Sequence, residues 1–147
     1  MLPLGIPAAL AEEHEELHNE LKKVIRMRGA VGKAGQYVAE ILHPHFEKEN
    51  ELALPIVGIM RELAEGKSSR DYSKAAELFD RFEHEYQSML GEHVQIVAAL
   101  EELEEAAWKV KNMKALQFAR KLKAHAKAEE VLTYPAILIA GKLLKQQ

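Results

Sequence analysis

Two stretches of this 147-residue chain repeat one arrangement of residues able to hold a metal ion. His45-Phe-Glu-Lys-Glu49-Asn-Glu-Leu52-Ala-Leu-Pro55 and His125-Ala-Lys-Ala-Glu129-Glu-Val-Leu132-Thr-Tyr-Pro135 both read His-x-x-x-Glu-x-x-Leu-x-x-Pro, 80 residues apart. Glu13-His14 recurs as Glu92-His93 at an offset of 79. On a helix, residues four apart lie one turn above each other, so each His points the same way as its Glu. Imidazole nitrogens and carboxylate oxygens converging from four helices make a metal site. Two helices that each carry both ligand types suggest two ions. Glu49 and Glu129 strengthen this reading because both fall inside apolar stripes, and an ionised Glu is rarely buried unless paired or bound to metal. The candidate ligands are His14, His45, Glu49, His93, His125 and Glu129, with His18 as a seventh.

The elements that position them are helical, since apolar residues recur at helical spacing nearly throughout and no convincing strand appears. Helix A is expected to start after Pro7 and end before Gly29, with Leu10, His14, Leu17, Leu21, Val24 and Arg28 on its stripe. The three glycines of Gly29 to Gly35 mark the A–B connection, with helix B able to begin inside it. Helix B runs to about Leu63 with Val38, Ile41, Leu42, His45, Glu49, Leu52 and Ile56 on one face. Pro44 and Pro55 should bend it, because each removes a backbone donor and crowds the preceding turn. Gly66 to Asp71 is the clearest loop. Helix C spans Tyr72 to Lys111, with a break possible at Gly91, and carries Met89, His93, Ile96, Leu100 and Leu103. Asn112 is the expected cap of helix D, whose stripe is Phe118, Leu122, His125, Glu129, Leu132 and Ala136. Four helices with short connections predict an all-α, antiparallel up-down-up-down four-helix bundle with an internal A–B/C–D pseudo-repeat, forming one domain over residues 1–147.

The other candidates read more plainly. His43 lies about 200° around helix B from His45 and His84 about 180° around helix C from His93, so both should face solvent. His18 is one turn from His14 on the flank of its stripe, placed either to bind metal or to donate to a ligand. Glu101 to Glu105 form a solvated face around Leu103. Trp108 and the sparse Phe and Tyr read as packing residues. Glu47, Glu130 and Tyr134 are the available proton donors, and all lie off the central stripe. Glu15-x-x-His18 and Glu40-x-x-His43 match the Glu-x-x-His signature of ferritin-like di-iron bundles, but neither Glu is on its apolar stripe, so that assignment is rejected. There is no Gly-rich phosphate loop and no nucleophile elbow.

Composition narrows the chemistry. A hydrophobic fraction of 48% with 29% charged residues is that of a folded globular protein. A net charge of −3 gives no reason to expect nucleic acid. No apolar run reaches the length of a membrane span, and the N-terminus lacks the pattern of a secretory signal. The chain has no Cys, which fits a cytoplasmic protein and restricts any metal to N and O ligands. That leaves iron, manganese, zinc or copper(II).

His on helix A, His-x-x-x-Glu on helix B, His on helix C and His plus carboxylate on helix D together resemble the hemerythrin-like (HHE cation-binding) domain. The resemblance covers nearly the whole chain, and the His-Phe-x-x-Glu and Leu-x-x-Pro blocks make it specific. It implies two iron ions in a four-helix bundle, bridged by two carboxylates, with zinc or manganese able to replace iron in purified protein. His14, His45, His93 and His125 are then the terminal ligands, and Glu49 and Glu129 the bridges. Oxygen-carrying hemerythrins have a second His one turn before the helix C ligand, where this chain has Met89. Their helix D carboxylate lies five residues after its His, at Glu130 here, although the internal repeat favours Glu129. The Met89 departure counts against reversible oxygen carriage and leaves open metal positions that favour oxygen or peroxide activation, or plain iron binding. Two classes follow, a protein that binds or senses oxygen, iron or nitric oxide, and a di-iron oxidase or peroxide-consuming enzyme. A structural zinc site is the duller alternative. A polar residue poised to deliver protons to the centre would favour the enzyme, and an apolar pocket would favour binding. The implied partner is a small diatomic or peroxide ligand.

Overall fold

The computed structural model describes residues 5–66 and 70–146. Among these residues the structure is all-helical. Helix α1 (Ala8–Ile25) follows Pro7 and buries His14, Leu17, Leu21 and Val24. Arg28, expected on this stripe, lies beyond the end of α1 and is exposed. The next helix, α2 (Gly29–Lys48), starts at the first of the three glycines, so only residues 26–28 connect the two. The later glycines serve packing. A Cβ on Gly35 would stand 2.9 Å from Val24 Cγ1, so α2 can lie this close to α1 only without a side chain there.

Pro44 sits inside α2 without interrupting it, whereas the helix changes character ahead of Pro55. Residues Glu49–Ala53 form a π-helical stretch, followed by α3 (Leu54–Val57) and α4 (Met60–Glu65). The fourth long run behaves likewise: α6 (Met113–Ala128) passes into a π-helical stretch at Glu129–Thr133 and then α7 (Tyr134–Leu144). The internal repeat therefore extends to the backbone. In each copy the wide turn ends two residues before a proline whose ring crowds the carbonyl four residues back, at Glu51 or Val131, and a π turn relieves that crowding. Each wide turn also shifts the helical phase. Leu132, expected on the buried stripe, is 68% exposed, while Tyr134, expected off it, is completely buried.

Between these runs, α5 (Ser73–Lys109) is one unbroken helix of 37 residues, and Gly91 lies within it on the exposed side. The preceding loop opens at Gly66, which caps α4 in the left-handed conformation at φ +65°, but its residues 67–69 lie outside the described residues. Asn112 caps α6, its side chain accepting from the Ala115 amide at 3.1 Å. Trp108, expected to pack, is 66% exposed because it is one position off the face that buries Leu103 and Ala107.

Helix α2 packs against α1 and α5, and α6 packs against α5 and α1. Two apolar clusters result, and the His and Glu candidates fall between them along the second, third and fourth runs, while His14 stands at the end of the first cluster's α1 stripe. One cluster holds Leu17 to Val24, Val31 to Leu42, Ile96 to Ala107 and Ala115 to Leu122. The other holds Leu52 to Leu63, Ala75 to Met89 and Tyr134 to Leu144. Among the described residues no helix is long and apolar enough to cross a membrane.

Candidate metal centre

The layer between the two clusters is polar and buried. The structure brings together six of the seven sequence candidates there: His14 from α1, His45 and Glu49 from α2 and its π turn, His93 from α5, and His125 and Glu129 from α6 and its π turn. All are buried except His125, which is partly so. Five of them offer donor atoms in two groups, His14–His125–Glu129 and His45–His93–Glu129, and Glu49 belongs to neither. Glu129 belongs to both. Its Oε1 lies 3.3 Å from His93 Nε2 and its Oε2 lies 3.2 Å from His125 Nε2. Glu49, fully buried, has Oε1 3.2 Å from His45 Nε2. The seventh candidate, His18, is exposed and belongs to neither group; it lines a surface cleft of about 310 Å³ that His14 also lines. His43 and His84 are exposed as expected.

A second ring of carboxylates holds the imidazoles from outside. His45 Nδ1 donates to Glu92 at 2.8 Å, His93 Nδ1 to Glu130 at 3.1 Å, and His125 Nδ1 to Glu13. A carboxylate can only accept, so each of these rings carries its hydrogen on Nδ1 and turns Nε2 inward, the orientation typical of metal-binding histidines. The Glu-His pairs of the sequence now have a reason. Glu13 and Glu92 reach across to the His of a neighbouring helix, while His14 and His93 beside them point into the centre. Lys48 anchors this outer ring through Glu92 at 2.6 Å and Glu85 at 3.2 Å.

The electrostatics are those of charges packed out of water. Burial, then the neighbouring Glu129, pushes the Glu49 carboxyl well above the usual range, against the pull of His45. Burial would also raise Glu129, but Glu49, His125 and His93 together hold it far below. The two carboxyls thus share one proton. Burial lowers His125, yet Glu129 and Glu13 outweigh it and push the imidazole up to about 9. His45 is raised in the same way, Glu49 and Glu92 overcoming its burial. His14, with less support, is pushed down by burial.

These residues fit a bound cation. His45 Nε2 and His93 Nε2 face each other at 2.9 Å, although both Nδ1 atoms already donate to carboxylates. Without an ion, one of the rings must be imidazolium to make that contact. A cation satisfies both lone pairs. Two donors each about 2.1 Å from one ion and at right angles stand about 3 Å apart. Among the described residues, His14 Nδ1, Glu49 Oε1 and His125 Nε2 are buried without a hydrogen bond. Unpaired buried polar atoms are costly, and three of them around one centre mark a missing partner.

Two residues had more to do than the sequence showed. Glu130 directs its carboxylate to His93 Nδ1, outside the centre, and Glu129 faces inward. Tyr134 is inside the centre. Its hydroxyl donates to Glu49 Oε2 at 3.2 Å and lies 3.2 Å from His93 Nε2 and 3.3 Å from His45 Nε2. Burial and the Glu49 and Glu129 carboxylates push its phenol far above the usual range, so the metal-free side chain keeps its proton. The signal that could have placed it was the Pro one residue later, which sets the wide turn. Comparison of the chain with family models, with curated proteins and with solved structures finds no match.

Proposed function

We propose that this chain is a hemerythrin-like protein: an antiparallel up-down-up-down four-helix bundle whose A–B and C–D halves are pseudo-repeats around a dinuclear metal centre. Its function is to bind or sense oxygen, iron or nitric oxide at two iron ions. The observation that carries the reading is Glu129, whose two oxygens face the His93 and His125 imidazoles of different donor groups. That is the placement of a bridging carboxylate. The alternation of the two apolar clusters along successive helices supports the antiparallel order: α2 runs from the first cluster to the second, α5 back, and α6 to α7 forward again.

His14 and His125 would hold one ion and His45 and His93 the other, with Glu129 shared by both groups and Glu49 beside His45. Iron in such a position supplies open coordination sites and reversible one-electron chemistry. The chain's own contribution is to keep Nε2 of His45, His93 and His125 turned inward, through Glu92, Glu130 and Glu13. Met89, where an oxygen carrier has an imidazole, is completely buried in the second apolar cluster and supplies no nitrogen. A second reading, a di-iron oxidase or peroxide-consuming enzyme, draws support from the Tyr134 hydroxyl, a proton carrier at the centre. The first reading is tested by loading the protein with iron and measuring metal by elemental analysis and anomalous scattering. Two ions per chain between the apolar clusters are expected; none, or one at the periphery, overturns it.

A further inference from the structure

We propose that the Tyr134 phenol oxygen is itself a donor to the metal position held by His45 and His93, which leaves the His14–His125 position as the one open to incoming ligands. This rests on the dinuclear reading above. Tyr134 Oη stands 3.2 Å from His93 Nε2, 3.3 Å from His45 Nε2 and 3.2 Å from Glu49 Oε2. With the two imidazole nitrogens 2.9 Å apart, these are the separations of donors around one ion rather than of a side chain packed beside it. The ring is fully buried and wedged edge-on by Phe82 and Tyr86, with centroids at 5.7 and 6.1 Å, so it is held in this position. The π turn at Glu129–Thr133 delivers it there.

The two halves of the chain part company at this residue. The counterpart of Tyr134 in the first repeat is Leu54, also buried before its proline but without a donor atom. The outer ring differs at the same end. Glu130 faces His93, and the residue in its place in the first repeat is Asn50. The surface cleft of about 310 Å³ reaches His14 and is edged by Asn50, Phe46 and His18. By contrast, His45, His93 and Tyr134 are at most 2% exposed. One position is thus closed by an oxygen donor and buried, and the other faces a path from solvent. On coordination the phenol O–H bond is replaced by an O–metal bond and the proton passes to water, with no electron transferred. A tyrosine so bound is no longer a proton carrier, which favours ligand binding over the enzymatic reading.

The test is the visible spectrum of the ferric-loaded protein. A phenolate bound to ferric iron gives a charge-transfer band, and excitation within it enhances phenolate ring vibrations in the resonance Raman spectrum. Tyr134→Phe keeps the ring and its packing, and should abolish the band in whatever ferric iron the variant retains, with iron per chain measured alongside. Azide added to the wild-type protein should bind and leave the phenolate band in place. Wild-type protein that holds two irons but shows no phenolate vibrations overturns the Tyr134 ligand and leaves the dinuclear reading standing. Loss of the band on adding azide overturns the assignment of the open position. Failure to take up iron at all removes both. The wild-type Raman spectrum decides the matter even if Tyr134→Phe does not fold.

Discussion

Glu129 is the residue on which the centre turns. A buried carboxylate stays ionised only where positive charge or donors compensate for lost water, and its two oxygens are each given to a different imidazole. Removing one terminal imidazole affects one group, whereas removing Glu129 affects both. His14→Ala is therefore expected to lower metal content from two ions per chain to about one, and Glu129→Ala to bring it close to zero. His18→Ala, at an exposed site outside both groups, should leave it unchanged. Elemental analysis of the three variants checks this. Equal losses from His14→Ala and Glu129→Ala would contradict the bridging role.

At the scale of elements, the π turns decide which side chains reach the centre. Pro135 withholds a backbone donor and crowds Val131, and the wide turn ahead of it places Tyr134 inward and Leu132 outward. Pro135→Ala restores the donor and relieves the crowding, so the segment can relax to regular α-helical pitch. Tyr134 then returns to the flank of the stripe. Metal affinity is expected to fall by about 10- to 100-fold, the usual range when groups that support a metal site are displaced. The metal-free variant should melt no lower than metal-free wild type, because the substitution improves the local helix. Iron titration and thermal melting measure the two effects. An unchanged affinity would mean that neighbouring helices, rather than the proline, impose the wide turn.

For the whole molecule, candidate ligands on all four helical runs would make metal binding part of folding. Without metal, the centre is held by its own protons. The folded-state value of about 9 for His125 exceeds the ordinary 6.5 of an imidazole, so its stabilising contribution is complete below pH 6.5 and vanishes as pH rises through 9. That contribution is on the order of 3 kcal/mol. Glu49, also raised, acts in the same direction. Metal reverses the dependence, since it requires neutral imidazoles and ionised carboxylates. Chelated protein is therefore expected to melt below the loaded form at every pH and to lose further stability between pH 7 and 9.5, while the loaded form stays nearly flat. Melting curves with and without chelator decide this; identical curves would place any metal outside the core.

Helical class, element boundaries to within a few residues and the six His and Glu residues that come together were legible in the sequence because they depend on local spacing. A stripe of Leu17, Leu21 and Val24 can bury only one face, and a Glu one turn from a His in such a stripe must point where the His points. The outer carboxylates were visible only as neighbours of His14 and His93; which imidazole each one holds depends on the helix lying opposite. Leu132 and Tyr134 were misplaced because a regular helical phase was carried through a turn that widens by one residue, and Trp108 because helix phase, not residue type, fixes exposure. Tertiary structure alone decided that Glu129 faces both imidazole pairs, that Glu130 supports His93 from outside, and that Tyr134 enters one half of the centre and has no counterpart in the other. Those are relations between helices, and the spacing of residues along one helix carries no information about the register of the next.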